Sequence, residues 1–502
     1  MTINDIDAAL EQLDPQARVM VMFLKSMLEQ QQQTIEELNA RIEDLTRMLF
    51  GKKSEKLPNA KLEAAKKARK DETEEQEAER KRKTRERRKK NRDKKKTLPV
   101  EELNIELPAN ERMCKKCGGE RFAKVGEGQV SYRYEYVVEH VVRQRIVREV
   151  WACDCDECLL TASPPDQVID GTSYGPEFYA HTVVAKCADS LPLNRQAKQF
   201  QRTGVPISSS TLCDMFHCSA QLLCPIYDRL VALVALMEYV NADETRLKIQ
   251  EKGGCRVGWV WTFIGGKVIV YAFSNDRSGE TPKRILGDST GSLQVDAYSG
   301  YNHVSAPDRR TRAGCWSHAR RGVFNALEYA PDKAAQLMDL IGDLYVVEHL
   351  AKERDVVGTE AHLTLRQSKS KPAIDKIKTL VSQYKSLYPP KTPMGKALGY
   401  ISNNWDALIV FLDEPKIAVD NNIAERALRI IALGRHNFLF AGNDRAAQNL
   451  AVLQSLVATC IVCGINPQSY LADVLIRIQD TPMSKIDELL PMNWKQLPES
   501  DR

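Results

Sequence analysis

Two sets of side chains in this sequence are spaced for chemistry: carboxylates that could gather hard cations, and thiols that could hold a soft one. Asp243 closes the run MEYVNAD, Asp296 closes SLQVD, and Glu425 lies in VDNNIAERALRII. In that last segment Asp420, Asn421 or Asn422 can cap a helix. Glu425 then falls in its first turns, where a carboxylate is favoured beside the helix dipole. Taken singly, each acid is an ordinary cap or turn residue; the ordered set is the signal. Three carboxylates brought together repel one another and titrate upward unless cations join them. Two Mg²⁺ (or Mn²⁺) ions would suit, each taking a few carboxylate oxygens plus water and phosphate. Such a pair activates a water or 3′-hydroxyl and stabilises the leaving oxygen of an in-line displacement at phosphorus.

The chain has 13 cysteines, an odd number with several at short spacing, which favours metal binding in a reducing compartment over a disulfide framework. Cys114-Lys-Lys-Cys117-Gly-Gly is one knuckle, and Cys153-Asp-Cys155-Asp-Glu-Cys158 is another. A tetrahedral Zn²⁺ would take Cys114, Cys117, Cys155 and Cys158, with Cys153 as the alternative fourth thiol. The intervening VSYRYEYVVEHVVRQRIVREVWA has the alternation of paired strands that would bring distant knuckles together. Cys315 and His318 flank Trp316 at a spacing also seen in metal sites, and Cys255 could join them. Their other reading is a brace at a strand-to-helix corner. Arg320, Arg321, Arg426, Arg429 and Arg435 lie near the acids in sequence, and guanidinium forks suit phosphates.

The elements that must position these groups divide the 502 residues into six segments. In residues 1–50, Val21, Leu24, Leu28, Gln31, Ile35, Leu38, Ile42, Leu45 and Leu49 recur at alternating spacings of three and four. This predicts a leucine-zipper-like coiled coil that joins two or more copies of the chain. Residues 51–99 form a charged linker. Within it, 81–96 holds twelve Lys/Arg and two acids, including Lys81, Arg82, Lys83, Arg87, Arg88, Lys89 and Lys90. That stretch carries +10 of a total of only +5, so the remainder is at −5 and the near-neutral sum conceals a polyanion-binding arm. Residues 100–165 are the zinc module. Residues 166–235 read as helices with a helix-turn-helix-like pair at 191–217. Residues 236–445 switch to strands: a short one ending in Asp243, a hairpin turning at Gly265-Gly266, and a further strand bearing Asp296. Helices follow. This is the layout of a ribonuclease-H-like α/β core, and residues 446–502 add a C-terminal helical element. The opening MTINDIDAALEQLD carries no basic-then-apolar leader, and the apolar run from Leu450 to Ile465 is interrupted by Gln454, Ser455 and Thr459. The expectation is a cytoplasmic protein with no membrane partner.

Taken with these motifs, the sequence resembles transposases of insertion sequence 66, members of the DDE class. The resemblance rests on LFGKKSEKL (49–57), the paired cysteines, LPLNRQ (191–196), NADET (241–245), LQVDAYSGY (293–301), CWSHARR (315–321), VDNNIAERALR (419–429), ALGRHNFLF (432–440) and LLPMNW (489–494). It implies that Asp243, Asp296 and Glu425 are the catalytic acids, cutting element ends and joining the 3′-hydroxyls to target DNA. It also implies a helical insertion at about 325–415, within the 129 residues from Asp296 to Glu425, DNA terminal repeats and target as partners, and small accessory proteins. Ala297, His436 and Phe438 depart from the usual Gly, Lys and Trp, and none is a carboxylate. Two other functions fit parts of the pattern: a ribonuclease-H-like nuclease or resolvase without strand transfer, and a non-catalytic zinc-containing DNA-binding regulator. Deleting 81–96 should flatten the dependence of DNA affinity on salt concentration. An unchanged slope would place the phosphate contacts elsewhere.

Overall fold

The computed structural model describes residues 166–495 except 206, together with strand residues 150–152 and 159–161 and helical positions 82, 85, 86 and 89. The predicted coiled coil, the thiols Cys114, Cys117, Cys153, Cys155 and Cys158, and the basic residues Lys81, Lys83, Arg87, Arg88 and Lys90 lie outside the described residues. Arg82 and Lys89 are exposed, and Arg82 makes an i,i+4 ion pair with Glu86 at 3.7 Å.

Two short strands, β1 (Val150–Ala152) and β2 (Leu159–Thr161), pair antiparallel in the register Val150↔Thr161, so they bracket the second cysteine cluster. Four helices follow: α1 (Pro176–Cys187), α2 (Leu193–Arg202), α3 (Ser209–Leu222) and α4 (Cys224–Leu236). The break between α2 and α3 is the one the sequence suggests. Gly204 takes φ +83°, and Ser208 caps α3 by accepting a hydrogen bond from Thr211 N at 3.0 Å.

The sheet begins with an antiparallel meander of β3 (Tyr239–Glu251), β4 (Gly254–Gly265) and β5 (Val268–Ser274). Its turns use Gly253 and Gly266 at φ +86° and +56°, values that a side chain would strain. The expected strand ending at Asp243 is too short. β3 runs on to Glu251 because Leu247 and Ile249 continue the inward alternation and Gly253 permits a two-residue turn onto β4. After α5 (Glu280–Leu286), β6 (Gly291–Gln294) adds parallel to β3, and β7 (Arg310–Ala313) adds parallel to β6. The strand order is β5-β4-β3-β6-β7.

Helices α6 (Trp316–Phe324), α7 (Pro331–Glu353), α8 (Glu360–Leu365), α9 (Lys371–Lys385), α10 (Pro393–Asn403) and α11 (Trp405–Ile409) come next. Most of them share a separate apolar core around Trp316, Leu337, Ile377 and Leu398. The chain returns to the sheet as α12 (Asn422–Phe438), α13 (Asp444–Cys463) and α14 (Pro467–Arg477). The first four helices, the sheet and these last three helices contribute to one larger apolar core.

Helix α13 shows how polar residues inside an apolar run can be structural. Among the described residues it is the one helix long and apolar enough, by length and composition, to cross a membrane, yet it packs against the edge strand β5. An edge strand leaves outward N–H groups without ladder partners. Ser455 Oγ accepts from Tyr271 N at 2.8 Å, and Thr459 Oγ1 accepts from Ile269 N at 3.2 Å while donating to Ile269 O at 3.2 Å. The two hydroxyls thus finish the sheet that the apolar face covers. Replacing Ser455 by Ala or Thr459 by Val should each cost about 1–3 kcal/mol, because a buried backbone N–H loses its acceptor. Urea unfolding midpoints equal to wild type would refute the role.

Candidate active site

The parallel register of β3 and β6 sets the first two acids side by side. Asn241 pairs with Gln294, and two residues farther along each chain stand Asp243 and Asp296. Residues i and i+2 of a strand share a face, and neighbouring strands run about 4.8 Å apart. Asp243 lies within β3, opposite Thr262 of β4, whereas Asp296 falls two residues beyond the end of β6 rather than on the strand. Its Oδ1 accepts from Tyr298 N at 2.9 Å, and Arg312 of β7 fixes the loop by donating to Asp296 O at 2.6 Å and Tyr298 O at 2.7 Å.

The third acid arrives through a buried amide contact. Asn421, immediately before α12, accepts from Asn241 Nδ2 at 2.9 Å and donates its own Nδ2 to Ala242 O at 2.8 Å. Glu425 is four residues on, one turn above Asn421 on the same helix face. Asn241 also donates to Gln294 Oε1 at 3.3 Å, and Gln294 Nε2 donates to Gly314 O at 3.1 Å and Ala418 O at 2.6 Å. Asn241, Gln294 and Asn421 are 4%, 0% and 1% exposed. A dry layer of amides therefore lies one step beneath Asp243, Asp296 and Glu425, at offsets of two, two and four residues. Asn421 does not spend its side chain on the helix cap. Asp420 instead stabilises the turn leading into the helix, its Oδ1 accepting from Asn422 N at 3.0 Å.

Asp243 and Glu425 line one cleft of about 270 Å³ with Glu244, Thr245, Leu428, Arg429 and Ala432. Burial raises the Asp243 carboxyl to about 7, and the charges of Glu244, Asp296 and Glu425 push in the same direction. A hydrogen bond from Glu244 N to Asp243 Oδ1, 2.9 Å long, opposes them. Glu244 is itself held by Arg277 Nε at 2.8 Å and Tyr301 OH at 2.6 Å, and the Arg277 guanidinium lies 3.9 Å from the Tyr298 ring centroid. Glu244, Arg277, Tyr301, Arg312, Asn241 and Gln294 have no assigned role in the sequence pattern, and Asn421 reads there only as one of three candidate caps. A polar residue such as Asn241 inside an otherwise apolar strand was the available sign.

The five arginines proposed for phosphate part ways in the fold. Arg429 lines the cleft, and Arg426 is exposed on the same helix. Arg321 Nη2 lies 3.7 Å from Glu425 Oε2, while Arg320 on α6 is half-buried. Arg435 instead clasps β3, donating to Thr245 Oγ1 at 3.0 Å and to the Arg246 carbonyl. Cys315 and His318 stand where β7 turns into α6. The Cys315 thiol is buried and pushed up to about 12, and its sulfur accepts from Asn421 N at 3.2 Å. Cys255, the third residue considered for that pair, lies at the far end of the β3–β4 hairpin, paired with Gln250. Glu425 takes its place, so that Cys315, His318 and Glu425 offer ligand atoms within 4.8 Å of one another.

Comparison with known proteins identifies the family. The Transposase IS66 family model matches residues 171–449, a span that holds all three acids. A model of the IS66 C-terminal element matches 455–492, and one described as Transposase C of IS166 homeodomain matches 37–103. Uncharacterized protein y4hP of Sinorhizobium fredii is 32% identical over 423 residues, covering 79% of this chain and 75% of the relative. Uncharacterized protein y4jD of the same organism is 31% identical over 423 residues, covering 80% and 81%. With more than half of its length matched by that first model, the chain belongs to the IS66 family of transposases.

Proposed function

We propose that this transposase belongs to the DDE class, with Asp243, Asp296 and Glu425 as its catalytic acids, cutting DNA at element ends and transferring the freed 3′-hydroxyls to target DNA. One observation carries the reading: three carboxylates from β3, the end of β6 and the first turn of α12 converge over a rigid amide layer. The strand order supports a ribonuclease-H-like core, since an antiparallel meander continued by two parallel strands gives that arrangement.

The residues fit divalent ions of the magnesium type. The donors are all oxygen, and Asp243 is hard to ionise among its neighbours unless a cation joins them. Asp243, Asp296 and Glu425 would hold the ions, which when bound lower the pKa of the attacking hydroxyl and neutralise the leaving oxygen. The chain's own part is positional. The amides hold the three backbones, Arg312 holds the loop after Asp296, Arg429 offers a guanidinium group to phosphates in the cleft, and Arg426 offers another from the same helix. DNA gripped by the 81–96 arm, zinc at the paired cysteines and dimerisation through the zipper complete the proposal. A ribonuclease-H-like nuclease shares the acids, and a strand-transfer assay with a pre-cut 3′ end separates the two.

Ala at Asp243, Asp296 or Glu425 should lower cleavage of element-end DNA by more than about 10³-fold, while gel-shift binding of those ends persists. Undiminished cleavage by all three variants would sink the assignment. The raised Asp243 carboxyl gives a second expectation, without metal. A group harder to ionise when folded contributes its stability fully below about pH 4, and that contribution is lost as pH rises through about 7. In chelator, Asp243→Asn should therefore gain on wild type between pH 4 and 8, by about 1–2 kcal/mol given the partial exposure of the group. A stability difference that does not vary with pH in denaturant titrations would contradict it.

A further inference from the structure

Two helix beginnings meet at the corner where β7 ends. Cys315 stands at the N-cap of α6, His318 lies three residues on along the same face, and Glu425 enters from the first turn of α12. His318 Nδ1 faces Glu425 Oε1 at 3.8 Å, and both atoms are shut off from solvent with no hydrogen-bond partner among the described residues. As placed, the pair is longer than the about 2.7–3.2 Å of a hydrogen bond and closer to the spacing of two ligands on one cation. Ligands at about 2.1 Å from one tetrahedral ion stand about 3.4 Å apart, and sulfur at about 2.3 Å is only slightly farther. The sulfur, nitrogen and oxygen here already lie within 4.8 Å of one another, so rotamer adjustment of about 1 Å closes the site.

We infer that Cys315, His318 and Glu425 form a binding site for a thiophilic divalent ion of the zinc type, and that filling it withdraws Glu425 from the acid cleft. Three protein ligands leave a fourth tetrahedral position for water. Sulfur and imidazole donors select zinc over magnesium, which favours an all-oxygen set. The thiol proton passes to solvent as the sulfur takes the ion. His318 and Glu425 keep 27% and 29% of their side-chain surface, which leaves the ion a path inward. Arg321 faces the other carboxylate oxygen, Oε2, at 3.7 Å, so Oε1 is the oxygen turned toward sulfur and nitrogen. The inhibitory consequence rests on Glu425 serving catalysis; ion binding does not.

The full chain, loaded with excess Zn²⁺ and then desalted, should retain one equivalent more than His318→Ala, Cys315→Ser or Glu425→Gln. With Co²⁺ in place of zinc, wild type should show more sulfur-to-metal charge-transfer absorption than Cys315→Ser. Cys315 is wholly buried, so half-buried His318 supplies the variant that leaves the core intact. In Mg²⁺-supported DNA cleavage, zinc should inhibit wild type at least about tenfold more strongly than His318→Ala. Equal zinc retention by wild type and His318→Ala overturns the site. Unequal retention with equal zinc sensitivity overturns the inhibitory role. Wild type that holds the extra ion but cuts no DNA at any metal concentration overturns the proposed catalytic function and leaves the site standing.

Discussion

Three carboxylates can be aimed at one point only if the backbones beneath them cannot drift, and in this fold that constraint falls on Asn241, Gln294 and Asn421. Each is buried, and each spends its side chain on another amide or on a backbone carbonyl. A satisfied polar layer of this kind is stiff, because breaking one bond strands a donor or acceptor away from water at about 1–3 kcal/mol. The layer also explains why a large insertion leaves the site undisturbed. Gln294 holds Gly314, where the chain departs from the sheet, and Ala418, where it returns. Trp316 N donates to Val419 O at 3.1 Å beside them. Helices α6 to α11 can build their own core while entry and exit stay clasped to one glutamine.

Much of the site was legible because its parts are local. An acid after an apolar run, an acid in the first turn of a helix and glycines at hairpin turns are properties of a few neighbouring residues. What could not be read was which polar groups meet across the fold. Asn241 reaches Asn421 across 180 positions, and Tyr271 reaches Ser455 across 184. Neither pairing leaves a periodic mark. The same limit separates Arg429 from Arg435. They share charge and helix, yet one lines the cleft while the other is anchored to Thr245 and the Arg246 carbonyl. Cys315 and His318 announce themselves by spacing, but their neighbour Glu425 belongs to another segment and to the acid set as well.

The neutrality of the supporting layer has a consequence for charge. Lysines beneath the acids would neutralise the carboxylates from within, but having donors only they could not make the amide-to-amide bonds seen here. Amides hold without neutralising, so burial, with the charges of Glu244, Asp296 and Glu425 added to it, keeps the Asp243 carboxyl near 7. Arg277 offsets Glu244 from one side, and Arg321 lies beside Glu425 Oε2 at the other. A frame that is uncharged, beneath acids that are close and incompletely compensated, leaves the Asp243 carboxyl harder to ionise than an ordinary one.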